Sequence, residues 1–391
     1  MASVVVSCYN VASFPEGGGH FWVYMQYVQA LRAAGCEVYW LERFRRGKDP
    51  LRDERAIPEF FARMARFGMD GKVLLYTQDD GPEGSEPQLT FIGTTRQEAE
   101  SALRRSDLLL NFHYAIDPRL LACARRTALV DIDPGLLQLW ISTGQLHVPP
   151  HDCYLTIGET VGTAAARFPD CGFPWIRFRP PVCLDLWPYS FDPRPAPFTT
   201  VAGWWSGMWV REVVDGRDVL YENTKRVSFL EFVDVPRRTP QPLELALFLA
   251  SDDAADLAVL QQHGWRVQRS QDVAGTPEQY RSYVQHSRGE FSCAKPSCMK
   301  LQNAWISDRT LCYLASGKPA VVQHTGPSDY LPNGLGLHRF TTLDEAAAAV
   351  DLVNSDYARQ CRAARDIAAT WFDGTAVLEH ILNATLGAPA C

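Results

Sequence analysis

Short apolar runs alternate along this chain with stretches whose apolar side chains recur every three or four positions, the rhythm of strands alternating with helices. Residues 3–9 are a β-branched run and predict a strand. Over 21–34, Trp22, Met25 and Val28 share a helix face that Leu31 closes; Gly35 stops it, and 36–41 predicts the next strand. This is a βαβ opening, with the loop 10–20 at the carboxyl edge of its sheet. The alternation continues with helices over 53–67, 95–105 and 118–126, another starting at 136, and strands over 72–77, 107–111, 127–130, 152–157 and 175–179. Residues 78–86 are a polar, Gly- and Pro-rich excursion expected at the surface.

The clearest break in composition is 180–197, rich in proline and aromatic residues, and it reads as a linker between two α/β domains. Beyond it the pattern restarts. Strands are expected over 198–202, 243–249 and 265–268, and helices over 252–263, 277–285, 343–354 and 356–372. Residues 213–221 predict a hairpin around Asp215-Gly216, and 228–233 fits either a helix or a strand.

The stretch 287–331 organises this second half. Ser307, Asp308 and Arg309 open a helix with an apolar body, Gly317 ends it, and Pro319 cannot continue it. Residues 320–322 make a short buried strand, placing Gln323, Thr325 and Gly326 at the carboxyl end, where open α/β sheets bind ligands. The helix start can hold a phosphate through free amides and a guanidinium, and Asp308 can accept from a ribose. The same residues also make an ordinary helix-turn-strand with a capping serine and a solvated Asp-Arg pair.

In order along the chain, S-R-G-E-F-S-x-A-K at 287–295, W-x-S-D-R at 305–309, C-Y-L-A-S-G at 312–317 and L-P-N-G-L-G-L at 331–337 resemble a group of bacterial glycosyltransferases. More broadly, a polar-headed helix ending in L-A-S-G-K-P, a V-V strand and Q-x-T-G resemble the donor-binding half of GT-B glycosyltransferases. The resemblance implies an α/β fold of the GT-B type, two Rossmann-like domains facing each other across a cleft. Residues 1–190 would bind the acceptor and 191–391 the donor, with the last helical segment crossing back. The implied activity is hexosyl transfer from an NDP-sugar, such as a UDP-sugar, to a small-molecule or glycan acceptor. The donor is a co-substrate, and neither a cofactor nor a metal is expected.

Three successive glycines, Gly17, Gly18 and Gly19, allow a backbone to approach a ligand closely, and His20 follows them at the start of a helix. Some inverting GT-B enzymes place a catalytic histidine after the first strand, and retaining ones place a glycine loop there; this chain has both. An imidazole titrates near neutrality and suits a base, with a carboxylate behind it to fix the tautomer; His20 also reads as a helix-start histidine that only hydrogen-bonds the loop. The D-x-D-P-G turn supplies Asp131 and Asp133 for that role, although Pro134 and Gly135 also make it a plain Asx-type turn. Lys295, Lys300 and Arg309 together would neutralise a diphosphate at the helix start formed by Ser307 and Asp308, although Lys295 also reads as a solvated surface charge, and Glu290 either bonds a ribose or pairs with Arg288. The resemblance further implies that Gln323, Thr325 and Gly326 would meet the sugar, with His324 standing where relatives have an acidic residue. Lys300 also reads as a solvated surface charge, and Trp204 and Trp205 either stack on a base or pack.

Composition narrows the rest. A formal net charge of -7 argues against a nucleic-acid partner. Eleven cysteines, an odd count with no CxxC pair, point to free thiols in a reducing cytoplasm. The chain opens on a strand rather than a basic leader, and no apolar run reaches the roughly 20 residues of a membrane span. The expectation is a cytoplasmic monomer or homodimer. Two further functions fit the same features: a nucleotide-sugar epimerase or hydrolase, and a nucleotide-sugar-binding protein without turnover.

Overall fold

The β-branched run at the amino terminus becomes β1 (Ser3–Cys8), paired in parallel with β2 (Glu37–Arg43) on one side and β5 on the other. A strand covered on both faces has no use for alternation, which is why Val4, Val5 and Val6 are all buried. The sheet is completed by β3 (Val73–Asp79), β4 (Gln88–Ile92), β5 (Leu108–Asn111), β6 (Thr127–Asp131), β7 (Cys153–Thr156) and β8 (Trp175–Arg177). Its order is β4-β3-β2-β1-β5-β6-β7-β8, parallel except for the antiparallel β3–β4 pair. The computed structural model describes residues 1–79, 86–204, 209–214, 217–250 and 253–387. Most of the 78–86 excursion therefore lies outside the described residues, as do Trp205, the Asp215-Gly216 turn and the first residue of the expected helix at 252.

A second, separate sheet follows the proline-rich stretch. It contains β9 (Phe198–Gly203), then, after the hairpin strands β10 (Trp209–Val214) and β11 (Arg217–Glu222), β12 (Leu243–Phe248), β13 (Arg266–Arg269), β14 (Gly289–Ser292), β15 (Ala320–Gln323) and β16 (Leu337–Phe340). Its order is β13-β12-β9-β14-β15-β16, all parallel. Each sheet reverses its strand order once, at β1/β5 and at β9/β14, and such switch points open crevices at the carboxyl ends of strands. The ambiguous run near 228–233 belongs to a helix, Lys225–Glu231. Among the described residues no helix is long and apolar enough to cross a membrane.

Several contacts tie the two halves, three of them through packed elements. The triple glycine starts the helix Gly18–Ala33 and packs against the second half: a Cβ on Gly18 would lie 2.4 Å from the Thr276 carbonyl oxygen and 2.5 Å from that of Ala274. Trp22 donates to the Pro277 carbonyl at 2.9 Å, and its ring meets Trp187, which in turn meets Tyr280. The chain also returns: after the helix Tyr357–Trp371, Val182 and Phe372 share a backbone bond of 2.8 Å, and the helix Gly374–Leu386 lies on Gly18–Ala33. Thirdly, the hairpin places Val210 and Tyr221 among Leu136, Leu139 and Phe168 of the first half.

Close packing explains the glycines better than ligand access alone. Gly18→Ala is expected to cost about 1–3 kcal/mol, the usual penalty of overpacking, because backbone oxygens cannot swing aside. Urea unfolding measures it, and an unchanged midpoint would show that the contact is soft.

Candidate functional site

A cleft of about 610 Å³ lies between the two sheets' carboxyl ends. One wall comes from the first half: Tyr9 after β1, the Gly17–His20 helix start, and Asp133 and Pro134 after β6. The other comes from Val201, Ala202 and Gly203 at the end of β9, from Lys225 and Lys295, and from Trp305 through Arg309.

His20 is half-buried on the first wall. Its Nε2 is 2.7 Å from the Tyr9 carbonyl oxygen, so Nε2 carries the proton and donates it there. That tautomer leaves Nδ1 with its lone pair, and among the described residues Nδ1 has no hydrogen-bond partner. Burial pushes the imidazole below its ordinary pKa, partly offset by the Tyr9 bond and by the charge of Asp133. The ring is therefore neutral at pH 7 and able to accept a proton at Nδ1.

The carboxylates behind it differ from the sequence expectation. Neither Asp131 nor Asp133 bonds the ring, because the Tyr9 carbonyl occupies the position a carboxylate would take. Asp131 is fully buried and accepts from Gln138 at 2.9 Å, Thr156 at 2.8 Å and the Asp133 amide at 3.0 Å. Burial raises its pKa to about 7, and its work is to hold the D-x-D-P-G turn to β7 and the next helix. Asp133 reaches the cleft, where it accepts from the Tyr114 hydroxyl at 3.3 Å and acts on His20 only through its field.

On the second wall, Ser307 caps the helix Asp308–Ala315, its Oγ accepting from the Arg309 amide at 3.3 Å. Asp308 faces the cleft, its pKa raised by burial against the pull of Arg309 and Lys225. Arg309 is only 7% exposed, and each guanidinium nitrogen already has an acceptor: Glu290 at 2.7 Å, the Val201 carbonyl at 3.1 Å and the Ser292 hydroxyl at 2.5 Å. It touches the cleft but is first a tie between β9, β14 and the helix. Glu290 is completely buried behind it and does not line the cleft, so the expected ribose contact is replaced by this ion pair.

Lys295 lines the cleft, whereas Lys300 does not. Lys300 is exposed, paired with Glu212 at 3.0 Å and stacked over Tyr221, so its donor assignment is corrected to a hairpin contact. Lys225 was not singled out by the sequence, yet it lines the cleft. It is 9% exposed and makes no hydrogen bond or ion pair among the described residues. Burial, then repulsion by Arg309, lowers its pKa to about 7, with Glu290 and Asp308 resisting.

The Q-x-T-G residues stand one layer back. Gln323 accepts from the Ala294 amide at 3.0 Å, and Thr325 donates to the Trp305 carbonyl at 2.6 Å. A Cβ on Gly326, at φ 128°, would lie 2.6 Å from the Gln302 carbonyl oxygen. Gln323 thus braces the chain after β14, Thr325 and Gly326 brace the 302–306 segment, and Trp305 and Ile306, rather than they, reach the main cleft. Trp204 packs: it is fully buried, donates to Asp256 at 2.9 Å and lies against Phe229.

No protein-family model matches the sequence, and no curated protein matches it. Solved structures match nearly the whole chain. An alpha-glucosyltransferase in complex with UDP and a 13-mer DNA is 10% identical with a TM-score of 0.58, over 98% of each chain. HepE of Anabaena in complex with UDP-glucose is 12% identical with a TM-score of 0.58, over 98% of this chain and 99% of that one. AviGT4, a glycosyltransferase involved in avilamycin A biosynthesis, is 12% identical with a TM-score of 0.54, over 98% and 97%. The chain has the GT-B fold.

In this GT-B protein the two switch points face one another, so the cleft is a product of topology rather than of any one loop. The GT-B cleft gathers His20, Asp133, Gly17, Gly18, Gly19, Lys295, Ser307, Asp308 and Arg309. It leaves out Asp131, Glu290, Lys300, Gln323, Thr325 and Gly326. The signal for Lys225 was present as Asn223-Thr224-Lys225 before a helix, but the hairpin separates it by some twenty residues from β9, to which it returns.

Proposed function

We propose that this protein is a glycosyltransferase that moves a hexosyl group from an NDP-sugar, a UDP-sugar, to an acceptor hydroxyl. The observation that carries the proposal is a cleft with opposite chemistry on its two walls. One holds Lys225, a largely buried lysine with no hydrogen bond or ion pair among the described residues, beside the amino end of the helix Asp308–Ala315; the other holds a neutral imidazole at His20 with an open lone pair. In this reading residues 191–391 bind the donor and 1–190 the acceptor. Glycosyl transfer leaves negative charge on the departing diphosphate, and Lys225 with the helix-start amides meets it without a metal. Nδ1 of His20 takes the acceptor's proton as its oxygen bonds to the anomeric carbon. The protein in complex with UDP-glucose that shares this fold supports the choice of donor.

The test is release of UDP from UDP-glucose across a panel of acceptors. Release that needs an added acceptor supports transfer; release without one marks a hydrolase, and tight binding without turnover marks a binding protein. Persistence of activity in EDTA checks the metal-free reading.

Lys225 makes a sharper prediction. Its ammonium is half lost near pH 7 in the free protein, so UDP affinity is expected to fall as pH rises above that, by up to about tenfold per unit. Lys225→Met is expected to weaken UDP by roughly 10–100-fold at pH 6, the scale of one charge-assisted hydrogen bond. The pH slope should vanish with it. Calorimetry at pH 6 and pH 8 decides, and an unchanged slope in the variant removes Lys225 from the phosphates.

A further inference from the structure

Resting on the glycosyltransferase reading, we propose that the acceptor is an anionic sugar or glycan whose phosphate or carboxylate is held by Arg45 beside Tyr9, within the field of Arg43. Tyr9 is the link. Its ring lines the first wall of the cleft, and the Arg45 guanidinium lies 4.6 Å from the ring centroid. Arg45 is held there by Phe44, which is buried below it, and by its own amide, which donates to the Ser13 hydroxyl at 2.7 Å.

Four basic side chains follow one another closely along this rim. Arg43, Arg45, Arg46 and Lys48 make no ion pair among the described residues, in a chain with a formal net charge of -7. The carboxylates around them are already engaged. Glu16 pairs with Arg52 at 2.9 Å, Asp117 with Arg119 at 2.7 Å, and Asp53 accepts from the Gly47 amide at 2.8 Å. Glu42 is buried, accepting from the Ala12 amide and from Trp40, and burial lifts its pKa to about 7.

A second observation comes from His113. It is 3% exposed, its ring 5.3 Å from that of Tyr9, and its Nδ1 is buried with no hydrogen-bond partner among the described residues. Its pKa falls to about 4, first by burial and then through Arg45 and Arg43, so both guanidiniums are felt at this point. A positive potential, an aromatic face and an unmet polar atom meet around Tyr9, on the first wall of the cleft. A planar guanidinium recognises carboxylate or phosphate by paired hydrogen bonds, which a neutral hydroxyl group cannot match.

The test uses glucose, glucose 6-phosphate and glucuronate as probes on the full chain, saturated with UDP, by ligand-observed NMR. The two anions separate phosphate from carboxylate. At least tenfold tighter binding of one anion than of glucose, abolished in Arg45→Glu with UDP affinity unchanged, supports the proposal. Equal binding of all three probes overturns it. So does a preference that survives Arg45→Glu, or one that UDP competes away, since the anion would then sit on the donor's phosphates. Arg45 is exposed, and an unchanged melting temperature confirms that the variant is folded. A protein that binds no UDP refutes the glycosyltransferase reading instead, and the three probes are then compared on the free protein.

Discussion

His20→Ala is expected to lower kcat by about a hundredfold or more, the scale of a positioned base, while UDP binding stays near its original value. The geometry separates the two effects. The imidazole is on the first wall, whereas Lys225 and the helix Asp308–Ala315 are on the second, so its removal is expected to leave the proposed diphosphate contacts in place. The acid limb of the pH–rate profile should also disappear. Because burial lowers the imidazole's pKa, the lone pair is available at neutral pH and is lost only as pH falls below about 6.5, the ordinary histidine value. The tautomer is set by the Tyr9 carbonyl, so no carboxylate variant should reproduce the loss: Asp133→Asn is expected to move the limb further down rather than abolish turnover. Proton NMR of the product's anomeric coupling completes the test. A retained configuration, or near-normal kcat in His20→Ala, would take the base role away from His20.

Arg309→Ala is expected to unfold the protein before it reports on the donor. Glu290 is fully buried, and one of its oxygens has no hydrogen-bond partner among the described residues, so the guanidinium is what balances its charge. Removing one partner of such a pair costs about 3–5 kcal/mol. Replacing both, as Arg309→Met with Glu290→Met, is expected to recover most of that loss, because no charge is then stranded. Urea denaturation of the two single variants and the double variant forms the cycle. An Arg309→Ala protein with wild-type stability but weakened UDP affinity would instead place this guanidinium on the phosphates.

The two cases show where the sequence was legible. Continuous apolar runs fixed β1, β5 and β15, since a strand buried on both faces leaves that mark. Capping chemistry fixed the helix after Ser307, and Gly317, at φ 70°, marked its end. The edge strand β4 escaped because it alternates weakly, with polar residues at both exposed positions. At the site, the residues read from the sequence come from both walls of the cleft, but several of them stand behind its surface. Nothing in G-E-F-S or Q-x-T-G distinguishes a side chain at the cleft from one directly behind it. That difference arises from how β14, β15 and the 302–306 segment stack. Nor can a string of side chains announce that His20 is oriented by the main chain of Tyr9.

The returning helix has a consequence for how this protein is made. The helix Gly18–Ala33 is covered by the helix Gly374–Leu386, whose buried Val377, Leu378 and Ile381 leave the ribosome long after it. At about 5–20 residues per second, that apolar face waits uncovered for on the order of half a minute. A nascent first half must be chaperoned or remain loosely closed during that interval. A fragment ending near residue 190 is likewise expected to aggregate on expression, and to become monomeric when residues 374–386 are supplied as a separate peptide.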